Sequence, residues 1–351
     1  MKGDLKGGKL IGEGSGTCVF KPNLPCKNGK IDVDNKKVSK LFLKKPENIK
    51  KEIDFNEKIS KLPKSKEWSI TLHEHCEAPD YETIKKVEPD IDKCLKNNKY
   101  SKLQNFDMLY GPYGGVSMDI AFQTYMIDAK NINDICETYK GFFKKCSSLF
   151  LGLDIMYKHK IMHYDIKSGN ITYIDNRYKY IDFGISTTFK NKEQITKRAL
   201  QEFNANRIYI YYPFDILYLY ASKPKLYLEK YTNRKNYDDL KDLHEIVFDR
   251  DFDSEWEVIL DLGIENGLNE KQIIEKLDTY SLGITLTKLL FDSILKKYNH
   301  MNDKDLYFML KDIFNCDKFK NIKELLRDMT EPLATNRISP NKAYKRFNGL
   351  Y

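Results

Sequence analysis

The densest chemistry in the chain lies in His163-Tyr164-Asp165-Ile166-Lys167-Ser168-Gly169-Asn170, followed by Asp182-Phe183-Gly184. Carboxylates and a carboxamide brought together from a loop and a strand end make an oxygen-rich site suited to a hard divalent cation such as Mg2+. One aspartate can stay clear of metal and accept a proton from a hydroxyl, while Lys167 stabilises charge on a transferring group. Far upstream, Lys40 sits in Val38-Ser39-Lys40-Leu41-Phe42, where strand alternation buries its neighbours and aims the ammonium into a cleft. A cation so placed can pair with phosphate oxygens, provided an acid holds it; Glu52 is the candidate and Glu57 its rival. Gly12-x-Gly14, with Val19 beyond it, allows a tight turn and a close backbone approach to phosphate. Each signal alone reads as an ordinary turn or surface ion pair. Their joint order is what is specific.

These residues need particular elements to position them. Residues 9–42 read as strand, turn and strand, the pattern of a small antiparallel sheet. From Pro46 the spacing turns helical, with Ile49, Ile53, Asn56 and Ile59 on one face. The polar stretch 77–102 reads as an irregular surface insertion, and Phe106–Leu109 as a further strand that ends at Gly111-Pro112-Tyr113-Gly114-Gly115. Beyond it, Phe142, Phe143, Cys146, Leu149, Phe150, Leu153 and Met156 recur at the spacing of one core helix. Asp175-Asn176 marks a hairpin turn between Ile171–Ile174 and Tyr178–Ile181. Further helices are predicted at about 276–293, 303–315 and 320–330.

Composition limits the function classes. Hydrophobic residues are 41% and charged residues 31% of 351, which excludes a disordered or collagen-like chain. The net charge of +8 permits acidic partners without requiring nucleic acid. The lysine clusters (Lys36-Lys37, Lys44-Lys45, Lys50-Lys51) sit in a composition biased towards AT-rich codons and read as solvated faces. Seven scattered cysteines with no C-x-x-C pair predict neither a zinc ribbon nor a disulfide scaffold, and fit a reducing compartment. The start lacks the apolar core of a signal peptide, and no segment is long and apolar enough to span a bilayer. The expectation is a soluble intracellular, cytoplasmic protein.

Taken in order, the motifs resemble the eukaryotic-type protein kinase superfamily over about residues 9–345, with no matching motif in 77–102 or 222–272. The resemblance implies an α+β, bilobal fold: a small antiparallel-sheet N-lobe with one main helix (1–111) and a larger, mostly helical C-lobe (112–351). It implies an ATP-dependent protein kinase of the Ser/Thr branch, using Mg2+ or Mn2+ and acting on protein hydroxyls. Gly12, Gly14 and Val19 would then line the nucleotide site, and Lys40, paired with Glu52, would contact the α- and β-phosphates. Asp165 would be the catalytic base and Lys167 would touch the γ-phosphate. Asn170 and Asp182 would hold metal, and Met108–Gly115 would be the adenine-binding hinge. Asp278-Thr279-Tyr280-Ser281-Leu282-Gly283 is similar to the family's D-x-W-S-x-G helix, and Tyr212-Pro213-Phe214-Asp215 stands where A-P-E would be, with Arg337 as its partner. Cys18-Val19-Phe20-Lys21-Pro22, Leu24-Pro25-Cys26, the Tyr-Gly-Gly hinge and Tyr209–Tyr212 look like the kinases of giant nucleocytoplasmic large DNA viruses, which would place the protein in host cytoplasm or virion.

Three positions depart from the family pattern: Thr17 replaces the third glycine, Tyr164 the arginine of H-R-D, and Asp215 the glutamate of A-P-E. Tyr164 implies an activity that needs no phosphate on the activation segment. Ser186, Thr187 and Thr188 are candidate autophosphorylation sites. Two alternatives stay open: a pseudokinase scaffold, and a kinase-fold enzyme acting on a small molecule.

Overall fold

The protein is described here by a computed structural model covering residues 8–14, 16–27, 29, 33–42, 46–89, 91–97, 106–205, 208–219, 236–252 and 268–351. It divides into two compact units, Met1–Gly115 with Ile181–Gly184, and Val116–Tyr180 with Ile185–Tyr351.

In the first unit, β1 (Lys9–Gly14), β2 (Thr17–Lys21), β3 (Lys37–Phe42), β4 (Glu74–Glu77) and β5 (Asp107–Pro112) form an antiparallel sheet in the order β1-β2-β3-β5-β4. Strand side chains alternate between faces, and here both faces are covered. Cys18, Phe20, Leu41, Met108 and Tyr110 join a buried cluster with Tyr81, Ile84, Ile91 and Cys94. Phe42 and Leu109, of opposite parity to Leu41 and Met108, pack with Ile49 and Ile53 of α1 (Pro46–Ser60). The short helix α2 (Ser65–Trp68) follows, with Trp68 buried.

This arrangement revises the reading of 77–102. That stretch carries α3 (Tyr81–Val87), N-capped by the Asp80 side chain, and α4 (Ile91–Asn97). Its few apolar residues are spaced to cover the second face of the sheet, and burying one such aliphatic side chain is worth about 1.5–3 kcal/mol. Its polar composition reflects the outer sides of two short helices; residues 98–102 lie outside the described residues.

The cysteines also depart from expectation. Cys18–Cys94 and Cys26–Cys76 are disulfides in the first unit, with Cα separations of 6.4 and 6.0 Å, and Cys136–Cys316 is a third in the second unit at 7.0 Å. Only Cys146 is a free thiol, and it is buried. Partners 50 to 180 residues apart in sequence leave no local spacing signature, which is why the pairing is invisible in the chain itself.

The second unit is mostly helical: α5 (Met118–Met126), α6 (Ile132–Lys145), α7 (Ser147–Lys158), α8 (Lys192–Asn204), α9 (Tyr237–Asp242), α10 (Glu270–Lys297), α11 (Asp303–Phe314), α12 (Lys320–Met329) and α13 (Pro340–Asn348). The apolar run read as one helix over 142–156 is two, because the backbone breaks from the helix at Cys146 (φ −77°, ψ 4°) while the inward face stays in phase. Its aromatic residues pack on α13, with Phe150 stacked on Phe347 at 4.3 Å between ring centroids. The 28-residue α10 opens with a reciprocal capping box between Asn269 and Gln272, and so begins earlier than the apolar periodicity suggested. At Gly283 the crossing with α12 is close: a Cβ there would lie 2.8 Å from Thr330 Cγ2. Of the region 222–272, only 236–252 and 268–272 are among the described residues.

Short strands frame the polar loop. β6 (Val116–Ser117), β8 (Ile171–Ile174) and β9 (Arg177–Tyr180) form one sheet, and β7 (Ile161–Met162) pairs with β10 (Thr187–Thr188). Asp175 and Asn176 turn the β8–β9 hairpin with φ of 51° and 59°, the left-handed pair that a two-residue type I′ turn requires.

Candidate active site

Register across the first unit's sheet aligns several of the expected residues. Gly12 pairs with Val19, Val19 with Lys40, and Lys40 with Leu109, so these four lie in one row on one face. Gly14 closes the β1–β2 turn opposite Thr17. The face is the one covered by α1, and α1 delivers Glu52 to it. Lys40 Nζ donates to Glu52 Oε1 at 2.8 Å and Oε2 at 3.0 Å, and to Asp182 Oδ1 at 2.8 Å. Glu57, the rival acid, pairs instead with Lys61 in solvent.

Burial separates these groups. The Lys40 and Glu52 side chains are 7% and 5% exposed, whereas Asp182 is 40% exposed. Burial alone would lower the Lys40 pKa, but the Asp182 and Glu52 carboxylates outweigh it and hold the ammonium charged. Burial pushes the Glu52 carboxyl up, against the pull of Lys40. Gly184 leaves room for these carboxylates: a Cβ would stand 2.7 Å from Glu52 Oε2 and 3.2 Å from Asp182 Oδ1. Asp182 itself has φ 61°, a left-handed backbone uncommon outside glycine and frequent at functional sites.

The second unit holds the other group. Asp165 accepts from Lys167 Nζ at 3.1 Å (Oδ1) and 2.9 Å (Oδ2), and from Asn170 Nδ2 at 2.7 Å (Oδ2). Asn170 Nδ2 also donates to the Asp165 carbonyl at 2.9 Å. The loop bearing these residues is braced by Asp278 of α10, whose carboxylate accepts from the backbone N–H of His163 at 2.6 Å and of Tyr164 at 3.0 Å. Burial raises the Asp278 pKa to about 7, although both N–H bonds oppose the shift. Arg337 donates to Asp215 at 2.9 Å, both side chains fully buried, and Ala334 N–H bonds the same carboxylate oxygen.

Tyr164, where an arginine was the family expectation, is buried with φ 68°. Its ring stacks on Tyr212 at 5.0 Å and its hydroxyl donates to the Ile195 carbonyl at 2.6 Å. Aromatic stacking thus fills the place of a cation. Ser186 and Thr187 are buried, their hydroxyls bonded to the His163 carbonyl and to Gln194; as placed, they are not exposed acceptors for modification. Tyr209 was missed: its hydroxyl donates to Asp165 Oδ1. The tyrosine-rich run is visible in sequence, but no spacing rule brings a phenol to an aspartate 44 residues upstream.

Known protein kinases resemble part of this chain. The protein kinase domain family matches residues 126–210. The dual specificity protein kinase zakA of Dictyostelium discoideum is 32% identical over 128 residues, which is 34% of this chain and 16% of that protein. The chain therefore spans less than a fifth of the length of this relative. The matched residues 126–210 carry both the Asp165 loop and Asp182, so the likeness to the protein kinase domain falls on the candidate site itself.

Proposed function

We propose that the protein is an ATP-dependent kinase that transfers the γ-phosphoryl group of ATP to serine and threonine hydroxyls of proteins. The observation that carries the reading is the buried Lys40 ammonium held jointly by Glu52 and Asp182. A charged lysine fixed in this way is suited to the α- and β-phosphates. Gly12, Gly14 and Val19 share its strand row and turn, and would lie along the nucleotide, with adenine taken by backbone groups of 108–115. Asp165 accepts the acceptor's proton, and Lys167 stabilises charge on the moving phosphoryl. Lys167, two residues after Asp165, supports the Ser/Thr branch.

The donor chemistry fits Mg2+. Asn170 spends its amide nitrogen on Asp165, which leaves its carbonyl oxygen as the ligating atom, and Asp182 presents a carboxylate that is 40% exposed. Asn170 would hold one such ion and Asp182 another, and each would supply positive charge against the phosphates. The segments Cys18–Cys26 and Tyr209–Tyr212 support a narrower kinship with kinases of giant DNA viruses.

Incubation with radiolabelled ATP and Mg2+ over generic basic and acidic proteins tests the reading. Labelled protein is expected, with a loss of at least about 100-fold in Asp182→Ala. ATP consumption without labelled protein would point to a small-molecule acceptor, and no ATP-dependent signal to a binding module.

A further inference from the structure

An ionised carboxylate has two oxygens and about four lone-pair positions. At Asp165 all four are taken. Oδ2 accepts from Lys167 and Asn170, and Oδ1 accepts from Lys167 and from the Tyr209 hydroxyl. Lys167 and Asn170 lie within five residues of Asp165 and hold it from its own loop. Tyr209 comes from a separate segment and brings a hydroxyl, the same functional group as an acceptor side chain. Its ring is held edge-on by Tyr212 at 4.6 Å and Tyr211 at 5.4 Å. Tyr212 in turn bonds the Tyr164 carbonyl at 2.9 Å and stacks on the Tyr164 ring. The phenol therefore rests on an aromatic ladder, and burial together with the Asp165 charge keeps it protonated.

We infer that the Tyr209 hydroxyl occupies the acceptor's position on Asp165, so that Tyr209 sets the affinity for the acceptor by competing with it. The inference rests on Asp165 being the base of the proposed reaction. An acceptor hydroxyl must come within hydrogen-bond reach of that base, and the only hydroxyl donor among the groups on its oxygens is Tyr209. Binding then needs the phenol to withdraw, and the apparent affinity is reduced by the fraction of molecules in which it has done so.

The test is initial-rate kinetics on the full chain at saturating ATP and Mg2+, with the Ser, Thr or Tyr peptide the wild type labels best. Tyr209→Phe removes one oxygen and keeps the ring ladder. The expected result is an acceptor KM about tenfold lower with kcat little changed, the size of effect expected when one charge-assisted hydrogen bond no longer has to be broken. An active Phe variant of an inactive wild type would support the inference equally. A fall in kcat at unchanged KM would make Tyr209 a positioning residue and overturn it, as would kinetics identical to wild type. A second measurement uses the wild type alone: 13C labels on tyrosine rings, with the Tyr209 signal assigned by its absence in the Phe variant. Saturating peptide should shift that signal, and an unmoved signal is contrary. Labelling that survives Asp165→Asn, or its absence from wild type and Tyr209→Phe alike, refutes the proposed function and takes the inference with it. Labelling that is abolished by Asp165→Asn but indifferent to Tyr209→Phe refutes the inference alone.

Discussion

Tyr164 and Asp182 both hold left-handed backbones without being glycine, at φ of 68° and 61°. Such residues cost on the order of 1–3 kcal/mol each and persist only where their surroundings fix them. At Tyr164 the fixing is aromatic and backbone-directed: the Tyr212 ring, the Ile195 carbonyl, and the Asp278 carboxylate on its N–H. No cation at this position waits for a phosphate to neutralise it. Phosphatase treatment of the purified protein should accordingly leave the proposed kinase activity within about twofold of the untreated sample, since no cation among the contacts named at Tyr164 gains from a phosphate. A near-complete loss of activity would show that a phosphate organises the segment after all. At Asp182 the neighbouring Gly184 matters most, because a side chain there would displace the Glu52 carboxylate from Lys40.

Among the elements, α10 links loop geometry to pH. Its Asp278 is buried, and its pKa rises from the ordinary 3.8 to about 7 in the fold. Between those values the native state holds a proton that the unfolded chain has released. The contribution of this group to stability is thus complete below about pH 4 and is lost as pH rises through about 7. Urea unfolding at steps from pH 4 to pH 8 should show the wild type losing on the order of a few kcal/mol more than Asp278→Asn, which has no proton to exchange. Parallel profiles for the two would mean that Asp278 does not titrate in this window. The Asp215–Arg337 pair shows the same dependence on burial. Its partners come from a short helical turn at 214–219 and from the segment after α12, and only packing of the second unit brings their charges within 2.9 Å. Much of this scale was legible early: β3, the β8–β9 hairpin and α11 follow directly from alternation, turn residues and period. The division of 142–156 into two helices was not, since one apolar stripe continues across the break at Cys146.

For the molecule as a whole, covalent closure is the feature the chain hid best. Three bridges span 76, 50 and 180 residues, and each such closure stabilises a fold by about 2–4 kcal/mol, chiefly through the unfolded state. Thiol titration of unreduced protein in denaturant should find one reactive group per chain, Cys146, and dithiothreitol should lower the unfolding free energy by several kcal/mol. Seven reactive thiols without reductant, and no effect of dithiothreitol, would dismiss the bridges. By itself the sequence determined the order of the motifs and the strands and hairpin that carry them, because short-range periodicity and turn chemistry are written in neighbouring residues. Only tertiary structure decided that Glu52 and not Glu57 holds Lys40, that 81–94 covers a sheet face, that six cysteines pair, and that Tyr209 rests on Asp165. Those outcomes depend on which side chains meet across long stretches of chain, and burial and packing choose among partners that local spacing leaves equal.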